Sequence, residues 1–539
     1  MKSGLLMLFT LLSLSSSYSQ NYKPLSLPSI ISDNMVLQQN SEVPIWGWTS
    51  PNEEVNIFAN WLDNPIIVKA DDNGNWSAKL KTKGSSGNYS ISIVSQAETV
   101  IISNILFGEV WLASGQSNME MPLKGWGENL VSESDETLNN SANPNIRLFQ
   151  VEKNTSTIPL DNCTGSWAES NPESAENFSA VAYFFANKMH NKLNVPIGII
   201  HSSWGGTKAQ SWVKKERLQE MNDFKENIET LDSRYSEFEK DIKVFTETLK
   251  KWCELKDENR FIDFVEYSEM NKRVLEKWKK LNNAQDGYCE NLDDYPKPKM
   301  PEKFPQFMET TLYNAMIHPL IPFAIKGVIW YQGESNAINP NQYRTLFPLL
   351  INNWRTDWQQ GEFPFYYVQI APFPYLDDEE GHWDPVLLRD VQLQTLSKVS
   401  NVGMVVTTDV SDTTNIHPPK KKEVGERLAL WALAKNYGKD VVFSGPIYKS
   451  MKIENNKIRL FFEYAETGLT SNKEELTFFE IAEESGNYLS ATAIIDGNSI
   501  LVSNPSITNP KSVRFGWSHT AQPNLFNGAG LPASPFNTK

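Results

Sequence analysis

Positive charge is what this chain has too little of: 50 Lys and Arg stand against 65 Asp and Glu, a formal net charge of −15 at pH 7. Nucleic acid and anionic membrane surfaces are both bound through a basic face, and no basic run compensates the deficit, so neither is expected as a partner. Cysteine is scarce as well. Cys163, Cys253 and Cys289 are too few for a disulfide scaffold, which leaves Cys253 with Cys289 as the one pair to consider. Long apolar runs are missing too: the stretch at residues 5–14 is too short to span a bilayer, and no later one is long enough. With Lys2 ahead of it and small or polar residues at 15–20 behind it, that stretch reads as a secretory signal over residues 1–20. The mature protein is therefore expected to be soluble and secreted or periplasmic.

What is present is an ordinary globular composition, 40% hydrophobic and 21% charged, over 539 residues, more than one hydrophobic core usually serves. Two or three domains are expected. Residues 21–105 alternate short β-rich runs with turns, such as Val43-Pro-Ile-Trp-Gly-Trp48 and Asp72-Asn-Gly-Asn-Trp76, which predicts a small antiparallel β-sandwich. From 106 to 437, apolar runs such as Val110-Trp-Leu-Ala113, Ile197-Gly-Ile-Ile200, Gly327-Val-Ile-Trp-Tyr331 and Phe365-Tyr-Tyr-Val368 alternate with helical stretches. That texture predicts an α/β unit whose parallel sheet is covered on both faces, with its site at the C-terminal strand ends. The charged helical stretch at 214–283 reads as an insertion in it. Residues 438–539 return to β texture and close in a Gly/Pro-rich segment expected to pack back on the body. The 17 Trp suit sugar-stacking surfaces, although core packing accounts for most of those rings.

Chemistry-bearing residues gather just after the apolar runs. Val110-Trp-Leu-Ala113 leads into Ser114-Gly-Gln-Ser-Asn-Met119, which sets Ser117 in a polar turn at a strand end. A hydroxyl there can be an exposed nucleophile, with its own amide helping to hold an oxyanion. Met119 stands where a Gly-x-Ser-x-Gly elbow would need its second glycine, so a different hydrolase class from the α/β-hydrolases is required. Taken alone, a turn serine more often satisfies backbone groups. Ile199-Ile-His-Ser-Ser-Trp-Gly-Gly-Thr207 adds Gly205 and Gly206, whose amides could face the same oxyanion. Ile329-Trp-Tyr-Gln-Gly-Glu-Ser-Asn336 adds the side-chain amide of Gln332, with Glu334 and Asn336 to orient it or contact substrate. A fourth strand runs into a loop ending in Asn415-Ile-His-Pro418, where His417 follows two candidate orienting carboxylates, Asp409 and Asp412. An early serine and a late histidine form a base-activated nucleophile if the fold unites them.

These segments, with Thr311-Leu-Tyr-Asn-Ala-Met-Ile317, Glu423-Val-Gly-Glu-Arg-Leu-Ala-Leu430 and Gly530-Leu-Pro-Ala-Ser-Pro-Phe536, resemble the sialate O-acetylesterase family of SGNH-type hydrolases over most of the chain. The resemblance implies a flavodoxin-like three-layer α/β/α esterase domain, no metal or other cofactor, and an O-acetylated sugar or glycan as substrate. It implies Ser117 as nucleophile and His417 as general base. The Ser117 amide, Gly205 or Gly206, and Gln332 would form the oxyanion hole. Many SGNH enzymes carry Asp three residues before the histidine, where this chain has Thr414, and relatives often have Asp in place of Asn415. Asp412, Asp409 and a Ser–His dyad therefore all stay open. Arg389, in Leu387-Leu-Arg-Asp-Val-Gln392, also lies on a shared segment, and its guanidinium suits the carboxylate of an acidic sugar such as sialic acid. An ion pair with one of the many acids is the plain alternative. Acetylated xylan is the alternative substrate, and an inert carbohydrate-binding protein the alternative of another class.

Overall fold

The computed structural model describes residues 23–85, 87–96, 98–255, 304–375 and 383–539; the expected signal at 1–20 and the Cys253–Cys289 pairing lie outside the described residues. Seven strands form the central sheet in the order Val402–Val405, Phe365–Val368, Gly327–Tyr331, Thr99–Gly115, Ile197–Ser203, Asn143–Gln150, Trp167–Ser170. The first six are parallel and the last joins antiparallel, so the fold is α/β with a mixed sheet.

Parallel strands joined by helical crossovers are covered on both faces, and the strand residues here divide accordingly. Leu112, Val328, Trp330, Phe365 and Tyr367 enter one core, while their neighbours Trp111, Ala113, Ile329, Tyr366 and Val368 enter another. Helices Pro340–Trp358 and Pro385–Lys398 supply Phe347, Leu350, Trp354 and Leu388 to the first core. Helices Ala180–Leu193 and Lys421–Tyr437 supply Val181, Phe185, Leu428 and Trp431 to the second. Burying one large apolar side chain contributes about 1.5–3 kcal/mol, so these two layers carry much of the stability. Helix starts follow local chemistry: Asn339 and Asp384 accept the amides of Gln342 and Leu387, each just ahead of a proline in the first turn.

The 17-residue strand Thr99–Gly115 begins in an antiparallel sheet with Tyr89–Val94, which pairs in turn with Glu54–Ala59 and that with Ile66–Lys69, and then continues into the central sheet. The expected division between residues 105 and 106 thus falls inside one strand. A separate ladder pairs Glu42–Trp48 with Asn75–Lys81, and alternate residues of both are buried. The described part of the charged stretch is helical, its longest helix Leu231–Leu255. Two four-stranded antiparallel sheets at the C-terminal end share a core of Ile458, Leu460, Ile481, Val502 and Phe515. Among the described residues, no helix is long and apolar enough to cross a membrane.

Candidate active site

Three candidate segments meet because their strands are neighbours. In register, Gly115 lies beside Ser203 on one side and Tyr331 on the other. The strands that follow Gly115 build first on the Ser203 side and then on the Tyr331 side, and such a reversal leaves a crevice beyond the C-terminal strand ends. Gly115 is required at this corner: its φ is +143°, and a Cβ would stand 2.1 Å from the Tyr331 carbonyl oxygen. Gln116 then donates its amide to that carbonyl at 3.0 Å and accepts, through its own, the amides of Met119 and Glu120. One helical turn, Ser117–Glu120, results. Gln116, Asn118 and Met119 are buried while Ser117 is partly exposed, so the turn presents the serine. Among the described residues, neither the hydroxyl nor the amide of Ser117 has a hydrogen-bond partner.

The glycine pair lies against this turn. A Cβ on Gly205 would stand 3.2 Å from Ser117 Cβ and 3.0 Å from Glu120 Oε2. The Gly205 amide donates to that Glu120 carboxylate, which also pairs with Lys153 at 2.7 Å. Gly206 is exposed, with φ +75° and an amide that donates to no other described residue. Three residues before Trp204, buried His201 accepts from Ser203 Oγ at Nε2 (2.5 Å) and donates from Nδ1 to Gln150 Oε1 (2.7 Å). Burial, reinforced by the charge of Lys153, pushes the His201 imidazole down to about 3, so it stays neutral at ordinary pH.

Gln332, Glu334 and Asn336 face inward rather than into a cleft. Gln332 is fully buried, and both N–H groups of its amide are engaged, one by Asn336 Oδ1 at 2.7 Å and one by the Thr207 carbonyl at 3.2 Å. Asn336 Oδ1 also accepts the Ala209 amide, and its Nδ2 donates to Gln210. These two amides tie the Tyr331 strand end to the 207–210 loop behind Gly206. Glu334 Oε1 accepts from Asn118 Nδ2 at 2.6 Å, while Oε2 has no hydrogen-bond partner among the described residues. Burial raises the Glu334 carboxyl above its usual range despite the Asn118 hydrogen bond and the Lys421 charge.

The histidine loop is joined to the serine turn through Asn118. Besides Glu334, Asn118 Nδ2 donates to the Ile416 carbonyl at 3.0 Å, so the residues next to Ser117 and next to His417 are hydrogen-bonded. His417 is partly exposed and meets the ring of Trp126 edge-on, at 5.1 Å between centroids. The loop is shaped locally: Asp412 Oδ1 accepts from Thr414 Oγ1 (2.6 Å) and Thr414 N (2.9 Å), which hold its carboxyl below the usual range. Asn415 accepts the His417 amide and donates to Asn129. Asp409 is engaged elsewhere, both its oxygens gripped by Arg427 at 2.7 and 2.5 Å.

Arg389 is buried, not a surface cation. Its Nη2 donates to the Ser518 carbonyl, and among the described residues Nε and Nη1 have no partner. Burial lowers it to about 10, opposed by Tyr375 and Asp384. The Tyr375 hydroxyl close by also has no partner among the described residues, and its ring stacks on Trp383 at 5.6 Å. Sequence reasoning missed Asn118, Glu120, Tyr375 and Lys421. Asn118 had a signal, its position beside the serine, whereas Lys421 sits in a Lys-Lys-Lys run that reads as solvated charge.

The carbohydrate esterase family of sialic acid-specific acetylesterases matches residues 108–250 and 297–434. Sialate O-acetylesterase of Mus musculus is 28% identical over 460 residues, covering 79% of this chain and 76% of its own length. The human protein of that name is 26% identical over 489 residues, covering 84% of this chain and 79% of its own. A crystal structure described as a novel carbohydrate acetylesterase from Xanthomonas citri is 30% identical, with a TM-score of 0.75, and the alignment covers 96% of this chain and all of that one. The matched segments take in all four strand ends that carry Ser117, Gly205, Gln332 and His417. With its matched residues making up just over half of the sequence, the chain belongs to the sialic acid-specific acetylesterase family of carbohydrate esterases.

Proposed function

We propose that this protein is a carbohydrate O-acetylesterase working through a serine acyl-enzyme, with sialate O-acetyl esters as its substrates. The observation that carries the mechanism is the Asn118–Ile416 hydrogen bond, which joins the turn presenting Ser117 to the loop carrying His417. His417 takes the proton of Ser117 as its oxygen attacks the acetyl carbonyl, then delivers that proton to the departing sugar oxygen. Water repeats the sequence on the acetyl-enzyme, releasing acetate and restoring Ser117. The Ser–His hydrogen bond forms as the substrate seats, since such bonds commonly tighten only in the complex.

The developing oxyanion is held by the amides of Ser117 and Gly206, which no other described residue engages; Gly205 contributes only if Glu120 releases it. Gln332 joins them only by giving up the Thr207 carbonyl, so its main role is to hold that loop. Glu334 and Asn336 likewise brace the site from inside rather than touch substrate. Asp412, not Asp409, is the acid that orients His417, because Arg427 already neutralises Asp409. Arg389, whose Nε and Nη1 beside Tyr375 have no partner among the described residues, takes the substrate carboxylate once its buried guanidinium is uncovered.

In the same reading, the α/β unit is an SGNH-type three-layer domain at 106–437, preceded by a β-sandwich at 21–105 and followed by a β-rich region at 438–539. The mature protein is exported to the periplasm or medium. Acetate release from O-acetyl sialic acid, acetylated xylan and a simple aryl acetate tests this reading. Sialate should be preferred and Ser117→Ala should abolish turnover on all three. Preference for xylan moves the substrate assignment, and full activity in Ser117→Ala ends the serine mechanism.

A further inference from the structure

Behind Ser117 lies a buried array that takes no chemical step in the esterase mechanism. Lys421, first residue of the helix Lys421–Tyr437, is 1% exposed and donates from Nζ to Asn118 Oδ1 at 2.5 Å. Asn118, 0% exposed, has both Nδ2 protons engaged, one by Glu334 Oε1 at 2.6 Å and one by the Ile416 carbonyl at 3.0 Å. Glu334 is 3% exposed, and Lys421 also lies 5.6 Å over the ring of Tyr331, the residue whose carbonyl anchors Gln116. Three strand ends and the helix that follows the histidine loop therefore converge on one carboxamide.

A buried lysine is an unfavourable way to stabilise a fold. Desolvation pushes Lys421 down to about 7 although Glu334 favours its charge, and a cation in the first turn of a helix is opposed by the helix dipole. What the array supplies is direction. A carboxamide can turn over by 180° at little steric cost, and its partners alone decide which end is which. Here an ammonium faces Oδ1, while a carboxylate and a carbonyl face Nδ2. Reversal would set N–H against ammonium and oxygen against carboxylate, so only one orientation survives.

We infer that Lys421 and Glu334 are positioning residues that lock the Asn118 carboxamide, and through it fix the Ser117 turn and the His417 loop at their working separation. This rests on the serine–histidine reading above. It makes the precision of the pair depend on a charged couple that touches neither group.

The test is steady-state hydrolysis of an aryl acetate and the rate of Ser117 labelling by a fluorophosphonate, with thermal unfolding measured alongside. A misplacement of about 1 Å at a reacting pair is worth on the order of 100-fold in rate. Lys421→Met should therefore lower kcat and the labelling rate about 10- to 100-fold, with KM within about twofold. Asn118→Asp, the same size and still paired with Lys421, should lose kcat similarly. Adding Glu334→Gln, whose amide can donate to the new carboxylate, should recover about tenfold, a rescue that general loss of structure does not give. Wild-type kcat in Lys421→Met, or a loss in Asn118→Asp that Glu334→Gln fails to relieve, overturns the inference. Turnover that persists in Ser117→Ala overturns the serine mechanism instead, so the two failures are distinguishable.

Discussion

Replacing Gly205 with alanine should misplace the serine without unfolding the protein. The Gly205 backbone is not left-handed, so the substitution adds one methyl group and no backbone strain. That methyl would meet Ser117 Cβ at 3.2 Å, Ser117 Cα at 3.6 Å and Glu120 Oε2 at 3.0 Å. Carbon–carbon contact is comfortable from about 3.5 Å, so the serine turn must yield by a few tenths of an ångström. Overpacking of this kind costs about 1–3 kcal/mol, shared between the turn and the Glu120–Lys153 pair. A shift of that size in the nucleophile should lower kcat by about 10- to 100-fold. Gly361→Ala is the control. Its φ is +70° and nothing lies within 4 Å, so alanine costs about 1–2 kcal/mol of strain far from the site and should leave kcat alone. Initial rates on an aryl acetate and thermal unfolding of both variants decide the matter. A Gly205→Ala enzyme at wild-type kcat, or an equal loss of kcat in Gly361→Ala, refutes the contact argument.

Three further outcomes are expected. His201 is held near 3 when folded and titrates near 6.5 when unfolded, so the unfolded chain binds a proton the native state refuses. Stability should fall as pH drops from about 6.5 towards 3, and His201→Gln should lack that component; equal slopes of unfolding free energy against pH in the two proteins contradict the burial argument. Asp412→Asn should lower kcat at least tenfold more than Asp409→Asn, whose main effect should be a drop in melting temperature as the partly buried Arg427 loses its partner. The reverse ranking in a paired kinetic and melting comparison would exchange their roles. Arg389→Lys should raise KM about tenfold on O-acetyl sialic acid and leave its carboxyl methyl ester unaffected; equal changes on both substrates would remove the carboxylate clamp.

The strand ends were legible in the sequence because a buried parallel strand is written as a continuous apolar run that stops abruptly at polar residues. Val110-Trp-Leu-Ala113 and Gly327-Val-Ile-Trp-Tyr331 both stop where the structure ends the strand or one to two residues earlier. The strand Thr99–Gly115 shows the limit of that signal. Its first half is half-buried in an antiparallel sheet and its second half fully buried in the parallel one, so a change of texture near residue 105 marks a change of burial and not an interruption of the chain. The polar residues after Tyr331 are a second case. Their concentration pointed to a site, but the direction each side chain takes is set by partners over a hundred positions away, Thr207 for Gln332 and Asn118 for Glu334. Lys421 left no local trace, because only the depth at which its helix starts separates it from Lys420 and Lys422, which are exposed or half-buried. Asp409 and Arg427, 18 residues apart, look unrelated until the strand and helix pack side by side.

The account stands on Ser117 becoming acetylated with His417 as its base. Brief exposure to a fluorophosphonate, followed by intact-mass and peptide mass spectrometry, measures this directly. A single adduct should form on Ser117, be absent in Ser117→Ala and form at least 100-fold more slowly in His417→Ala, with acetate release falling in parallel. An adduct on another residue, or undiminished acetate release from Ser117→Ala, would contradict it.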